Sequence, residues 1–241
     1  GIVFGEYAIT EEAILQARAR ASGTLLHRPD VDLDLPDAAH QIDFDVETYR
    51  GALYLAGLLI HEPGGSTFRP ISDWTGTPAG ERRVIEGLFR FFDSVAERGD
   101  AVVYHWTDYE RTILNEASAR HNLSLRSSPS VDAWFDQFGC DLWSWIKQRF
   151  VSPNGYSLKV IAPLCGFEWR DGDPGGAQSE LWYEDALDGD VLFERQGVQM
   201  ECLCEHGFSP PWGVVVHGRW REGLGVRPAR PVRGSRATRP R

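Results

Sequence analysis

The stretch HQIDFDVETYR, residues 40–50, alternates Ile42, Phe44 and Val46 with Asp43, Asp45 and Glu47. In a β-strand the period of two sends the apolar side chains to one face and the three carboxylates to the other. An edge strand facing water carries that pattern cheaply. The next segment, GALYLAGLLI (51–60), reads as a second, almost wholly apolar strand, so the pair is expected in a buried sheet. Clustered carboxylates beside a core are penalised by repulsion and desolvation unless cations or hydrogen bonds compensate. Hard divalent cations take oxygen ligands, and a two-metal site needs several carboxylates on one rigid surface. Asp45 and Glu47 form an acid-x-acid pair able to share one metal site. A solvated edge-strand face accounts for the same residues equally well, and Asp43 is expected at the open start of the strand.

Composition narrows the class. With 241 residues, 42% of them hydrophobic, the chain can bury one good core. It shows neither a signal-peptide pattern nor a run of about 18 apolar residues, so a cytoplasmic protein without a membrane partner is expected. Cys140, Cys165, Cys202 and Cys204 follow no disulfide framework and read as reduced thiols. The CLCEH segment offers Cys202, Cys204 and His206 for zinc, yet lacks the usual ligand spacing. Residues 219–241 hold eight Arg and one Glu, a charge of +7, so the overall −10 leaves −17 on residues 1–218. So acidic a body excludes a simple nucleic-acid binder held by phosphate contacts, and it suits a collector of divalent cations.

Periodicity gives the order of elements. A helix is expected over 11–22, with Thr10 as N-cap and Gly23 as its stop, followed by a Pro- and Asp-rich linker at 27–38. Strands are expected at about 41–47, 52–60 and 66–71. A helix over 81–98 carries Val84, Ile85, Leu88, Phe91, Phe92 and Val95 at helical spacing. A short strand, AVVYHW (101–106), precedes a helix over about 108–121. Residues 132–150 read as helical and aromatic, with Trp134, Trp143 and Trp145 assigned to packing. A short helix ends at Gly166, and 179–196 reads as another. This order predicts an α/β fold whose mixed central sheet is flanked by helices. Glu110 then falls near the carboxyl end of a strand, where open α/β sheets place their sites, although a first-turn carboxylate also gains from the helix dipole alone. His105 reads as a polar residue at a strand end.

Several segments follow one another in a distinctive order: IDFDVETY, VVYHWTDYERTIL, CDLWSWI, VSPNGYSLKVIAPLCGFEWRD and GGAQSELWYEDAL. Over about residues 40–196 they resemble the RNase H-like domain of the RecB-like nucleases, the YprB-type ribonuclease H-like group, which is similar to DEDD 3′–5′ exonucleases. The resemblance implies an RNase H-like sheet and metal-dependent hydrolysis of phosphodiesters in DNA or RNA, with Mg2+ or Mn2+. It implies that Asp45 and Glu47 are the first acidic motif. Glu110 stands where such enzymes have the Asp of F-D-x-x-x-L, with Tyr109 in the aromatic place and Leu114 in the apolar one. Asp141 matches a further acidic position and joins the implied metal ligands. Tyr156 and Lys159, in the Y-S-L-K segment, are the implied substrate-binding residues. Residues 1–39 are then an N-terminal helix and linker left from an upstream region, which in full-length relatives is a nuclease or helicase domain. Residues 197–241 are a disordered Arg-, Pro- and Gly-rich tail.

The chain departs from that pattern at its end. The family closes its site with Y-N-x-D-D-C-x-A-T, but no Asp follows Asp190 and no Tyr follows Tyr183. A frameshift near residue 196 accounts for this: read one base later, codons for residues 201–206 can encode Ser-Ala-Cys-Ala-Ser-Thr. The alternative implied by the missing motif is a catalytically inactive nucleic-acid-binding or interaction module of the same fold.

Overall fold

The alternating stretch becomes the middle strand of the main sheet. The computed structural model describes residues 3–4, 7–8, 10–62, 64–167 and 176–187. Along the chain lie β1 (Val3–Phe4), β2 (Tyr7–Ala8), α1 (Glu11–Ser22), β3 (Leu26–His27), β4 (His40–Tyr49), β5 (Ala52–Glu62) and β6 (Gly65–Ser72). They are followed by α2 (Pro78–Arg98), β7 (Ala101–His105), α3 (Tyr109–His121), α4 (Val131–Phe138), β8 (Gly139–Asp141) and α5 (Leu142–Arg149). The described elements end with β9 (Phe150–Val151), α6 (Leu158–Leu164) and α7 (Gly176–Leu187).

Five strands form one mixed sheet in the order β6-β5-β4-β7-β8. The β4–β5 and β5–β6 ladders are antiparallel, whereas β7 and β8 add in parallel. The hairpin turn between β4 and β5 uses Arg50 and Gly51, both at positive φ (52° and 80°), as a two-residue turn that twists with its strands requires. A bulge between Glu47 and Thr48 makes Tyr54 the extra residue on β5.

Alternation along β4 divides the core. Ile42, Phe44 and Val46 face a cluster built with α2, α3 and α4, centred on Phe92, Leu88, Leu114 and Trp134. Phe92 stacks on Trp134 with ring centroids 4.0 Å apart and meets Phe44 edge-on. The opposite face is covered at the β7–β8 side by Leu25, Leu35, Trp145, Ile146 and Phe150 around Tyr104. The linker at 27–38 belongs to this layer: Trp145 Nε1 donates to the Asp34 carbonyl at 3.1 Å, the Tyr104 hydroxyl donates to the Pro36 carbonyl, and β3 pairs with β9. On that same side of the sheet, α7 brings Tyr183 onto Tyr54, centroids 4.0 Å apart.

The caps follow the sequence. Thr10 accepts from Ala13 N, Thr77 accepts from Gly80 N with Pro78 in the first turn, and Gly23 closes α1 at φ 67°. One expectation is corrected. Residues 132–150 are not a single helix but α4, then β8 as a fifth strand, then α5. Gly139 ends α4 so close to the Phe135 carbonyl that a Cβ there would lie 2.6 Å from it, and Asp141 caps a new helix. Trp134 and Trp145 are buried as expected, whereas Trp143 is half-buried on the wall of a cleft. Residues 188–241, including Cys202, Cys204 and His206 and the whole tail, lie outside the described residues, so the expected helix over 179–196 is described only to Leu187. No helix among the described residues is long and apolar enough to cross a membrane.

Candidate active site

The parallel strands β4, β7 and β8 run toward one edge of the sheet, where β4 carries Asp45 and Glu47, β8 ends on Asp141, and the connection after β7 leads to Glu110. The β4–β7 ladder stops at Asp43↔Tyr104, so Asp45 and Glu47 continue beyond it with β5 alone as neighbour. Into that notch comes the first turn of α3, carrying Glu110. Asp45 faces Gly57 across the ladder, a partner with no side chain to cover it. The Asp45 carboxyl is pushed well above the usual carboxylate range by burial, then by the charges of Glu110 and Glu47. Its Oδ1 accepts the Val46 N–H at 2.9 Å, which opposes that shift, while a hydrogen-bonding approach to the Glu110 carboxyl reinforces it.

Glu110 is 2% exposed, and its Oε2 is buried with no hydrogen-bond partner. Burial raises its pKa, and the charge of Asp141 adds to this. His105 works against the shift, with Nδ1 3.7 Å from Oε2, although that nitrogen donates its hydrogen to the Thr107 carbonyl at 2.7 Å. Asp141 has a second occupation. Its Oδ1 accepts Thr107 N at 3.1 Å and Ser144 N at 3.2 Å, and its Oδ2 accepts the Ser144 hydroxyl at 2.6 Å, so it caps α5 and ties that helix to the β7–α3 connection. Asp45, Glu47, Glu110 and Asp141 thus share one region. Among the described residues, no three His, Cys, Asp or Glu side chains already stand in the geometry of one cation site.

The structure corrects the reading of Asp43. It does not sit at an open strand end but is wholly buried, because β5 and β7 flank this half of β4 on both sides. Its Oδ2 lies 2.8 Å from His61 Nε2, and His61 Nδ1 lies 2.8 Å from the Ser66 hydroxyl. The acids on β4 therefore split into Asp43, satisfied by a histidine, and the pair beyond the β7 ladder, of which Asp45 lies between the charges of Glu47 and Glu110.

A profile of the RNase H superfamily matches residues 42–192, more than half of the chain. The chain belongs to the RNase H superfamily. The matched region spans β4 through α7, and the mixed five-stranded sheet with helices on both faces is RNase H-like. Membership implies a nuclease-like domain that acts on nucleic acid. Comparison with curated proteins and with solved structures finds no match.

Within this RNase H-like domain, the implied substrate-binding residues lie in the layer of α5, β9 and α6. The Tyr156 hydroxyl donates to the Phe150 carbonyl at 2.9 Å and accepts Ser152 N at 3.3 Å, so it fastens the turn leading to α6. Lys159 is exposed in the first turn of α6. The sequence reading missed the His61–Asp43 pair and the cleft beside Asp141. Cys140 is buried and its thiol is pushed up to about 12, mainly by burial, which makes it an inert side chain rather than a nucleophile.

Proposed function

We propose that the protein is a metal-dependent phosphodiester hydrolase that shortens DNA or RNA in the manner of a 3′–5′ exonuclease. The observation carrying this reading is the approach of Asp45, Glu47 and Glu110 at the carboxyl edge of the parallel strands, with Asp45 held far above its ordinary pKa by burial and by those two neighbours. Carboxylates crowded in this way are costly, and a doubly charged cation relieves both the repulsion and the desolvation. The donors fit such an ion. All are oxygens, and Glu110 Oε2 accepts no hydrogen bond among the described residues. Asp45, Glu47 and Glu110 would hold Mg2+ or Mn2+, with Asp141 beside them. A bound divalent cation supplies Lewis acidity and a lowered pKa for water. The chain's own residues hold the geometry: the Val46 N–H orients Asp45, and Asp141 with His105 fixes the connection from which Glu110 projects. Tyr156 and Lys159 take the substrate side in this reading.

A second reading is favoured by one fact of sequence: no Asp follows Asp190 and no Tyr follows Tyr183, so the last acidic motif is missing. In that case the domain binds nucleic acid without cutting it. Calorimetric titration with Mn2+, beside cleavage of labelled single-stranded DNA and RNA, separates the two. The expected result is saturable Mn2+ binding and stepwise shortening, both abolished in Asp45→Asn. Cleavage that survives Asp45→Asn overturns the site, and oligonucleotide binding without cleavage favours the second reading.

A further inference from the structure

Next to the carboxylates, a cleft of about 400 Å³ opens between the β7–α3 connection and the start of α5, lined by Thr107, Asp108, Tyr109, Thr112, Asp141 and Trp143 among others. That is the size of a small-ligand pocket. Two of the residues lining it, Tyr109 and Trp143, are aromatic. Tyr109 is 47% exposed, yet its hydroxyl is 2.8 Å from Thr48 Oγ1, which holds the ring against the strand residue that follows Glu47. Trp143 is half-buried, and Lys147 Nζ lies 4.3 Å from its ring centroid. The lining also holds an exposed acceptor, Asp108. Asp108 occupies the N-cap position of α3, but its side chain makes no capping hydrogen bond.

The backbone here is held in an unfavourable state. Thr107 has φ 72°, left-handed for a β-branched residue. Three contacts impose it: Thr107 N donates to Asp141 Oδ1, His105 donates to the Thr107 carbonyl, and Tyr109 N donates to Thr107 Oγ1 at 3.3 Å. Strain of this kind survives where the surroundings over-determine it, and it concentrates at ligand sites.

We propose that this cleft takes one base of a single-stranded nucleic acid, its ring against Trp143 and Tyr109 and an exocyclic amino group donating to Asp108. The proposal rests on the nuclease reading for the strand's path past Asp45. Stacking on aromatic side chains accepts any base. A carboxylate acceptor favours bases that carry an amino group over thymine or uracil. Lys147 adds a positive charge close to the ring, and in an acidic body that charge helps to hold the phosphate beside the bound base.

The test is anisotropy of labelled single-stranded oligonucleotides with the full chain in EDTA, so that no strand is cut. The strands are oligo-dA, oligo-dC, oligo-dT and one whose residues are abasic. Base-bearing strands are expected to bind about tenfold tighter than the abasic one, and dA and dC tighter than dT. Trp143→Ala brings the base-bearing strands down to the abasic value and leaves that value unchanged, whereas Trp143→Phe restores the difference. Asp108→Ala, which removes the acceptor, abolishes the preference for dA and dC. No binding of any strand, equal loss for abasic and base-bearing strands in Trp143→Ala, or no loss at all, overturns the cleft. Cleavage in Mn2+, measured in parallel, keeps the two readings apart. Base-selective binding with no cleavage removes the hydrolase and keeps the cleft, and cleavage with binding indifferent to Trp143→Ala removes the cleft alone.

Discussion

Asp43 and Asp45 stand two residues apart on one face of β4, and both have raised pKa values, yet their surroundings differ. For Asp43, burial raises the value and His61 pulls it back; for Asp45, burial is joined by Glu110 and Glu47. The folded value of Asp45 therefore lies above the unfolded one of about 3.9. The folded state then binds more protons, so this group's contribution is most favourable below about pH 4 and is lost as pH rises through the raised folded value. Asp45→Asn keeps the oxygen that accepts from Val46 N and removes the charge. In metal-free buffer the variant is expected to melt above the wild type at neutral pH, by about 2–4 °C for each kcal/mol relieved, with the gap closing near pH 4. Calorimetry at a series of pH values in EDTA reads this directly, and a gap that persists at pH 4 contradicts the assignment of charge to Asp45.

At the scale of elements, β8 matters most, because it places Asp141. Its appearance between two helices was hidden in the sequence for a physical reason. Val131, Trp134, Phe135, Phe138, Leu142, Trp145 and Ile146 keep helical spacing straight through Gly139–Asp141, and three residues are too few to leave a period of two. The one local signal was Gly139. A Cβ there would meet the Phe135 carbonyl at 2.6 Å and the Phe135 ring at 3.0 Å. Gly139→Ala is expected to force α4 and β8 apart, costing about 1–3 kcal/mol in urea denaturation. Cleavage should fall further than the stability loss explains, because Asp141 and the connection it holds move with the strand. Unchanged cleavage in a folded Gly139→Ala protein would count against that role.

For the whole molecule, Glu81 is the tie between layers. Only 6% exposed, it accepts Leu53 N at 3.0 Å from the β4–β5 hairpin, Arg120 Nη2 at 2.7 Å and His121 Nε2 at 2.6 Å from the end of α3. Burial disfavours its charge, but Arg120, His121 and the Leu53 N–H outweigh that and hold the carboxyl below its usual range. Its contribution is present above the unfolded value of about 4.3 and is lost as pH falls through the depressed folded value. Glu81→Ala leaves buried donors without a partner and is expected to cost about 3 kcal/mol by chemical denaturation at pH 7. A loss below about 1 kcal/mol would show that the network is solvated rather than buried.

Consecutive residues were enough to determine the strand alternation of 40–50, the cap at Thr10 and the stripe of α2, and to mark Asp45 and Glu47 as an acid-x-acid pair, because each of these is a local pattern. What only the tertiary structure decided is which acids meet, and the reason is register. From the hairpin turn, Tyr49 pairs with Ala52 and Thr48 with Leu53; continued unbroken, that ladder would set His61 opposite His40, on the apolar face. The bulge at Glu47 and Thr48 shifts the pairing by one, so Gln41 faces His61, and a shift of one residue turns every later side chain of β5 to the other face. That single slip gives Asp43 its histidine, while Asp45 meets Glu110, a partner some sixty residues away whose approach no local pattern encodes.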